Sequence, residues 1–179
     1  MKLEITLANA TDADIPTIQT IYSHHVLHGI ATFEVEPPSV AQMRKRYHDV
    51  LTNGLPYLVA AYHGEVVGYC YLSPYRPRFA YRFTLEDSVY IHADMQNKGV
   101  GSLLMNEAIS RAEKEGYRQI IAVIGNSQNI ASLRLHASLG FKSVGPLTSV
   151  GFKHGQWVDT VMMQRALGEG NDSLPVDRL

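Results

Sequence analysis

Cysteine is almost absent from this chain. Cys70 is the only one in 179 residues, so an intrachain disulfide and a cysteine-based zinc cluster are both excluded. An excess of either charge is missing too: 16 Lys and Arg stand against 17 Asp and Glu, a formal net charge of −1. The overall field therefore draws the chain to neither nucleic acid nor a membrane surface. No apolar run approaches the ~18 residues of a membrane span, and the N-terminal "MKLEITLANATDADI" holds acids where a signal peptide needs an apolar stretch. A cytoplasmic protein is expected. Repeats and low-complexity tracts are lacking as well. The histidines, among them His24, His25 and His28, show no metal-ligand spacing, so no metal is expected.

What is present is an alternation of strand-like and helix-like segments in one domain, 1–168, followed by a polar tail, 169–179, expected to be flexible. Leu3 to Leu7 reads as a first strand. A helix with Ile15, Ile18, Tyr22 and Val26 on one face follows, capped by Asp12 or Asp14. A second helix starts at Ser39, where Gln42 completes a capping box, and stops at Asn53 and Gly54. The runs "YLVAAY" and "EVVGYCYL" make a hairpin about His63 and Gly64, which puts Cys70 in a buried strand. "TLEDSVYI" is a further strand, Gly99 to Glu115 a helix, "QIIAVI" a strand and Asn129 to Leu139 a helix. The chain closes on a hairpin with Gly155 and Gln156 as its turn. Together these segments predict an α+β (mixed α/β) domain with a sheet of mixed direction.

The junction after Ile91 carries the first functional signal. Gly99 and Gly101 open a helix there, and a helix N-terminus offers unpaired N–H groups and about half a positive charge to an anion. Glycine lets a phosphate approach the backbone closely. Gln96 and Lys98 add a donor and a charge, yet neither GxxxxGK[ST] nor GxGxxG is present. ATP and NAD do not fit this loop. From spacing alone, the glycines serve equally well as a simple strand-to-helix break.

The hexapeptide Gln96, Asn97, Lys98, Gly99, Val100, Gly101 resembles the Q/RxxGxG/A loop of the GNAT acetyltransferases, and "NIASLRLHASLGF" is similar to their NxxAxxLYxxxGF segment. Ser132 replaces the usual alanine and His136 falls where many members have tyrosine. Over nearly its full length the chain resembles the phosphinothricin and methionine sulfoximine N-acetyltransferases, through "ATFEVEP", "YRPRFAYRFTLEDSVYI", "AVIG", "LRLHASLGF" and "GFKHGQWVD". The resemblance implies a GNAT fold: a twisted, mostly antiparallel central sheet flanked by helices, with a splayed and bulged strand pair at the cofactor site. It also implies acetyl-CoA as co-substrate, held by Val89, Tyr90, Ile91, Asn97, Lys98, Gly99, Val100, Gly101, Ser102, Asn129 and Ser132. A small amine acceptor, an acceptor site at Phe33, Arg76, Arg78 and Tyr81, and a homodimer follow from the same resemblance.

The residues can supply the chemistry. Glu86 is the candidate general base, since a half-buried carboxylate has its pKa raised towards the working range. His136 lies seven residues after Asn129, hence on the same helix face, and can give a proton to the departing thiolate or assist Glu86. Arg76 and Arg78 carry the guanidinium forks that bind a carboxylate or phosphinate. Asp87 is awkward: strand alternation puts it on one face with Val89 and Ile91, and a bulge would resolve the conflict. The expected reaction is direct acetyl transfer in a ternary complex to the α-amine of a small amino-acid analogue. The alternatives are a peptide, protein N-terminus or polyamine as acceptor, or a non-catalytic acyl-CoA-binding module.

Overall fold

In the computed structural model, which describes residues 4–176, the elements run β1 (Ile5–Asn9), α1 (Ile15–His28), α2 (Val40–Thr52), β2 (Tyr57–Tyr62), β3 (Glu65–Pro74), β4 (Thr84–Ile91), α3 (Val100–Lys114), β5 (Gln119–Gly125), α4 (Ile130–Ser138), β6 (Lys142–Lys153) and β7 (Gln156–Ala166). Local signals set most of these boundaries. At the start of α2 the Ser39 side chain accepts from the Gln42 N–H at 3.2 Å while Gln42 Oε1 accepts from the Ser39 N–H at 2.7 Å. Two otherwise orphaned donors are thereby satisfied. Asp14 caps differently from expectation: its carboxylate accepts from the Thr11 N–H and hydroxyl rather than from α1. Of the first predicted strand, Leu3 lies outside the described residues.

The seven strands form one sheet in the order β1-β2-β3-β4-β5-β7-β6. Every neighbouring pair is antiparallel except β4 and β5, which α3 connects as a parallel crossover. One face packs on α3, through Leu104, Met105, Ala108 and Ala112, all fully buried, and the Cys70 thiol points to the Leu104 carbonyl at 3.6 Å. The other packs on α1 and α2 through an aromatic group, Tyr22, Tyr57, Tyr69 and Tyr90. Each large apolar side chain so buried contributes about 1.5–3 kcal/mol.

The parallel pair is short. β4 and β5 are joined only at Thr84–Gln119, Leu85–Ile120 and Glu86–Ile121. β4 then continues to Ile91 against β3, and β5 to Gly125 against β7, with no rung between them. The sheet therefore opens into a wedge whose apex is Glu86. The expected splay is present, but the bulge is not where Asp87 called for one: β3 and β4 keep register from Gly68–Ile91 to Pro74–Leu85. The buried carboxylate is accommodated instead by a partner on α4, described below. Register shifts fall in β2, between Ala60 and Ala61, and twice in β6.

Two further expectations change. The last hairpin turns on His154 and Gly155, at φ 50° and 73°, and Gln156 already belongs to β7. The polar segment after Ala166 is tied to the body: Leu167 is buried, and Arg118 donates to the Gly170 and Leu174 carbonyls and to Ser173 Oγ. Residues 177–179 of the predicted tail lie outside the described residues.

Candidate active site

The wedge opens onto two joined cavities. The larger, of about 610 Å³, runs between the end of β4 and the starts of α3 and α4. The smaller, of about 260 Å³, lies at the apex over Glu86. Ala31, Val89, Tyr90, Gly125, Asn129 and Ser132 line both, so the two communicate at the mouth of the wedge.

The larger cavity is made mostly of main chain. Gly99 caps α3 in the left-handed conformation, φ 82°, and Asn97 before it is also left-handed, φ 59°. An added Cβ at Gly99 would meet nothing within 4 Å, so the glycine answers to backbone conformation and open approach rather than to crowding. Gly101 is tighter, with Leu135 Cδ2 3.1 Å from where its Cβ would stand. Asn97, Gly99, Val100, Gly101 and Ser102 form the wall here, where the first turn of α3 presents its N–H groups. Across the wedge, β4 beyond Glu86 has no ladder on its β5 side, which leaves peptide groups for an extended ligand arm. This is a fit for a long chain ending in phosphates. Lys98 is not on the wall; its ammonium turns to Met95 Sδ at 3.8 Å. A cation comes instead from Arg134, on α4, which sequence reasoning missed because an exposed helical arginine reads as solvated.

His25 lines the same cavity and its Nε2 donates to the Ile91 carbonyl at 2.8 Å. Burial lowers its pKa, as do His24 and His92, with the carbonyl opposing; the ring is neutral at pH 7.

Side chains make the smaller cavity. Glu86 lies on its wall, half-buried, and its pKa is raised, chiefly by burial and then by the Asp87 charge, against a lowering by Arg76. Phe33 forms part of the roof, its ring pressed on the Cα of Gly151. Three contacts hold that roof down: Tyr22 OH and Thr32 Oγ1 are 2.8 Å apart, the buried ammonium of Lys153 donates to the Thr32 carbonyl at 2.8 Å, and Arg46 pairs with Glu34 at 2.6 Å. Gly125 lies directly below, where a Cβ would come within 2.6 Å of the Ile30 carbonyl oxygen.

His136 is only 2% exposed, and both its ring nitrogens are engaged. Nε2 lies 2.9 Å from Asp87 Oδ2, and Nδ1 lies 2.8 Å from the Ser132 carbonyl and 3.4 Å from Ser132 Oγ. Burial works against the charged ring, but the Asp87 carboxylate and the Ser132 carbonyl outweigh it and raise the pKa. Facing two acceptors, the ring is placed to donate from both nitrogens, which favours its protonated form. Asp87, which the sequence presented only as a misfit, is thus the residue that fixes the state of His136. Its other oxygen, Oδ1, is buried without a hydrogen-bond partner.

The predicted acceptor residues are only partly gathered. Phe33 is on the cavity wall and Arg76 is near enough to lower the Glu86 pKa, while its guanidinium covers the Tyr75 ring. Tyr81 packs edge-on against Tyr75, and neither it nor Arg78 lines the cavity within this chain. Cys70 is fully buried and outside both cavities, and burial pushes its thiol pKa up, so it is no nucleophile here. Among the described residues, no group of three or more His, Cys, Asp or Glu is placed to hold a metal ion, and no helix is long and apolar enough to cross a membrane.

Comparison with known proteins agrees with this architecture. The Acetyltransferase (GNAT) family matches residues 21–141. A phosphinothricin N-acetyltransferase of Alcaligenes faecalis is 53% identical over 170 residues, 95% of this chain and 86% of that protein. An L-methionine sulfoximine/L-methionine sulfone acetyltransferase of Salmonella typhimurium is 37% identical over 165 residues, 92% and 96% of the two chains. Among solved structures, a GNAT superfamily phosphinothricin acetyltransferase from Sinorhizobium meliloti, in complex with AcCoA, superposes with a TM-score of 0.94 at 44% identity, covering 99% of this chain and 95% of that one. Wedge, glycine-opened helix and sequence likeness lead to one assignment: the chain belongs to the GNAT acetyltransferase family.

Proposed function

We propose that this protein is an acetyl-CoA-dependent N-acetyltransferase whose acceptor is the α-amine of a small amino-acid analogue of the phosphinothricin, methionine sulfoximine or methionine sulfone type. One observation carries the reading: a carboxylate of raised pKa stands where a backbone-lined cleft meets a chamber of amino-acid size. In this reading Asn97, Gly99, Val100, Gly101 and Ser102 hold the diphosphate, and the edge of β4 from Val89 to Ile91, which has no strand beside it, lines the acyl and pantetheine arm. Asn129 and Ser132 close the cleft from α4, with Asn129 also capping that helix through the Ser132 N–H at 3.2 Å.

Glu86 takes the proton of the incoming ammonium, directly or through water, and so delivers a neutral amine to the thioester carbon. The amine attacks the thioester itself, since Cys70 is buried and protonated. Arg76, with Arg78 and Tyr81 beside it in the chain, supplies the positive field for the acceptor's anionic end. The protein acts as a cytoplasmic homodimer. Support for pairing comes from the exposed large apolar residues of the terminal hairpin, Val144, Leu147, Val150, Phe152 and Trp157.

Release of free thiol from acetyl-CoA, measured against phosphinothricin, methionine sulfoximine, methionine sulfone, the common amino acids, short peptides and spermidine, tests the reading. Turnover is expected with at least one amino-acid analogue. Silence on all of them together with turnover on peptides or spermidine overturns the acceptor class.

A further inference from the structure

The buried pair of Asp87 and His136 is unused by the steps above, and its position suggests a task. It joins β4 to α4 one residue beyond the last β4–β5 rung, on the wall of the smaller cavity. A buried ion pair is weak evidence for stability, since well-packed apolar residues often serve as well or better. This pair, moreover, leaves Asp87 Oδ1 buried without a partner. Its second end faces Ser132, whose hydroxyl is 3.4 Å from His136 Nδ1 and whose side chain borders the cleft and the chamber alike.

We propose that Asp87, His136 and Ser132 form a proton line to the departing sulfur of coenzyme A, in which Ser132 Oγ touches the sulfur and Asp87 is a positioning residue. The inference rests on the acetyltransferase reading. When the carbon–sulfur bond breaks, its electron pair leaves on sulfur, and the Ser132 hydroxyl proton passes to that sulfur. The proton on His136 Nδ1 moves to Ser132 Oγ in the same event. His136 ends neutral, with its Nε2–H still donated to Asp87, and regains a proton from solvent before the next turnover. The acceptor nitrogen sheds two protons, one from the ammonium before attack and one from the tetrahedral adduct, and both leave separately through Glu86 to solvent.

The surroundings fit a charged ring that can discharge in one direction only. Around the imidazole stand Asp87 from β4, the Ser132 carbonyl and hydroxyl from α4, and the Phe141 ring at 5.0 Å, edge-on. The other titratable groups near the pair are Glu86, next to Asp87 on β4, and Cys70 of β3, whose buried thiol stays protonated. Asp87 and His136 border the smaller cavity alone, whereas Ser132 borders the larger cleft as well, so the Ser132 side is the one that leads to the cleft.

Ser132→Ala is the direct test, because Asn129 Oδ1 caps the helix by accepting from the Ser132 main-chain N–H, which survives the change. With the full-length protein and the best acceptor from the panel, kcat for thiol release is expected to fall about 10²-fold. Acetyl-CoA affinity, read by thermal shift, should hold within about twofold. Ser132→Thr, which keeps the hydroxyl, should recover most of the rate. Asp87→Asn removes the charge that keeps His136 protonated, so the alkaline fall in kcat is expected at lower pH than in the wild type. Wild-type kcat in Ser132→Ala overturns the proton line. So does an unmoved alkaline limb in Asp87→Asn; if that variant does not fold, the Ser132 pair decides alone. Wild-type silence on every amine despite bound acetyl-CoA removes the acetyltransferase reading and this inference with it.

Discussion

The two cavities of the wedge are built by different means. The cofactor cleft is lined by main chain: the left-handed Gly99, the first turn of α3 and the stretch of β4 that has lost its ladder. The chamber over Glu86 is lined by side chains gathered from β4, β5, α4, β7 and the loop after α1. A backbone site depends on a few conformations that glycine and strand geometry enforce, so it tolerates variation in everything else. A side-chain site depends on the identity of each residue, which is where substrate choice is free to change.

Glu86→Gln is the largest expected break on the chamber side. It should lower kcat about 10²- to 10³-fold at neutral pH and leave acetyl-CoA binding within about twofold, measured by steady-state kinetics and thermal shift. Equal rates would show that the chamber does not house the base. On the cleft side, Gly99→Val forces a branched side chain into the left-handed region, a strain of about 1–2 kcal/mol, and narrows the approach to α3. The KM for acetyl-CoA is expected to rise about tenfold, with Gly99→Asn milder because asparagine accepts that conformation.

Arg76→Met probes the electrostatics of the chamber. Arg76 favours the ionised form of Glu86, so its loss raises the Glu86 pKa further, and the rising acid limb of kcat/KM moves to higher pH. A limb that stays in place would mean that Glu86 is not the titrating base. The smallest effect is expected from Lys98→Ala: less than about a twofold change in acetyl-CoA KM, because the side chain faces Met95 and the cleft relies on peptide groups. A large rise would return side-chain charge to the cofactor's grip.

The same division explains what could be read from the sequence. Gly99, Gly101, the Ser39–Gln42 cap and the His63–Gly64 turn are local signals, each dictated by conformation or spacing within a few residues. The cleft was legible for that reason. Asp87 was not, because its partner is 49 residues away and a buried carboxylate on a strand looks like an error until His136 is placed against it. The last turn repeats the His-Gly pair of the first, His154 and Gly155 both left-handed as are His63 and Gly64, so its true register was already present in the sequence. Arg78 and Tyr81 lie close to Glu86 along the chain without lining the smaller cavity, because proximity in sequence does not fix the direction of a side chain. The tail read as free because the guanidinium that holds it, Arg118, lies about fifty residues earlier.

Beneath the ceiling of the chamber, Gly125 admits no larger residue without lifting the Ile30 and Ala31 carbonyls off the strand. Attempts to remodel this enzyme for bulkier amines should accordingly leave that floor alone and trim from above, at Phe33, or from the flank, at Val123. A library that randomised Gly125 along with them would lose nearly every member in which that glycine changed.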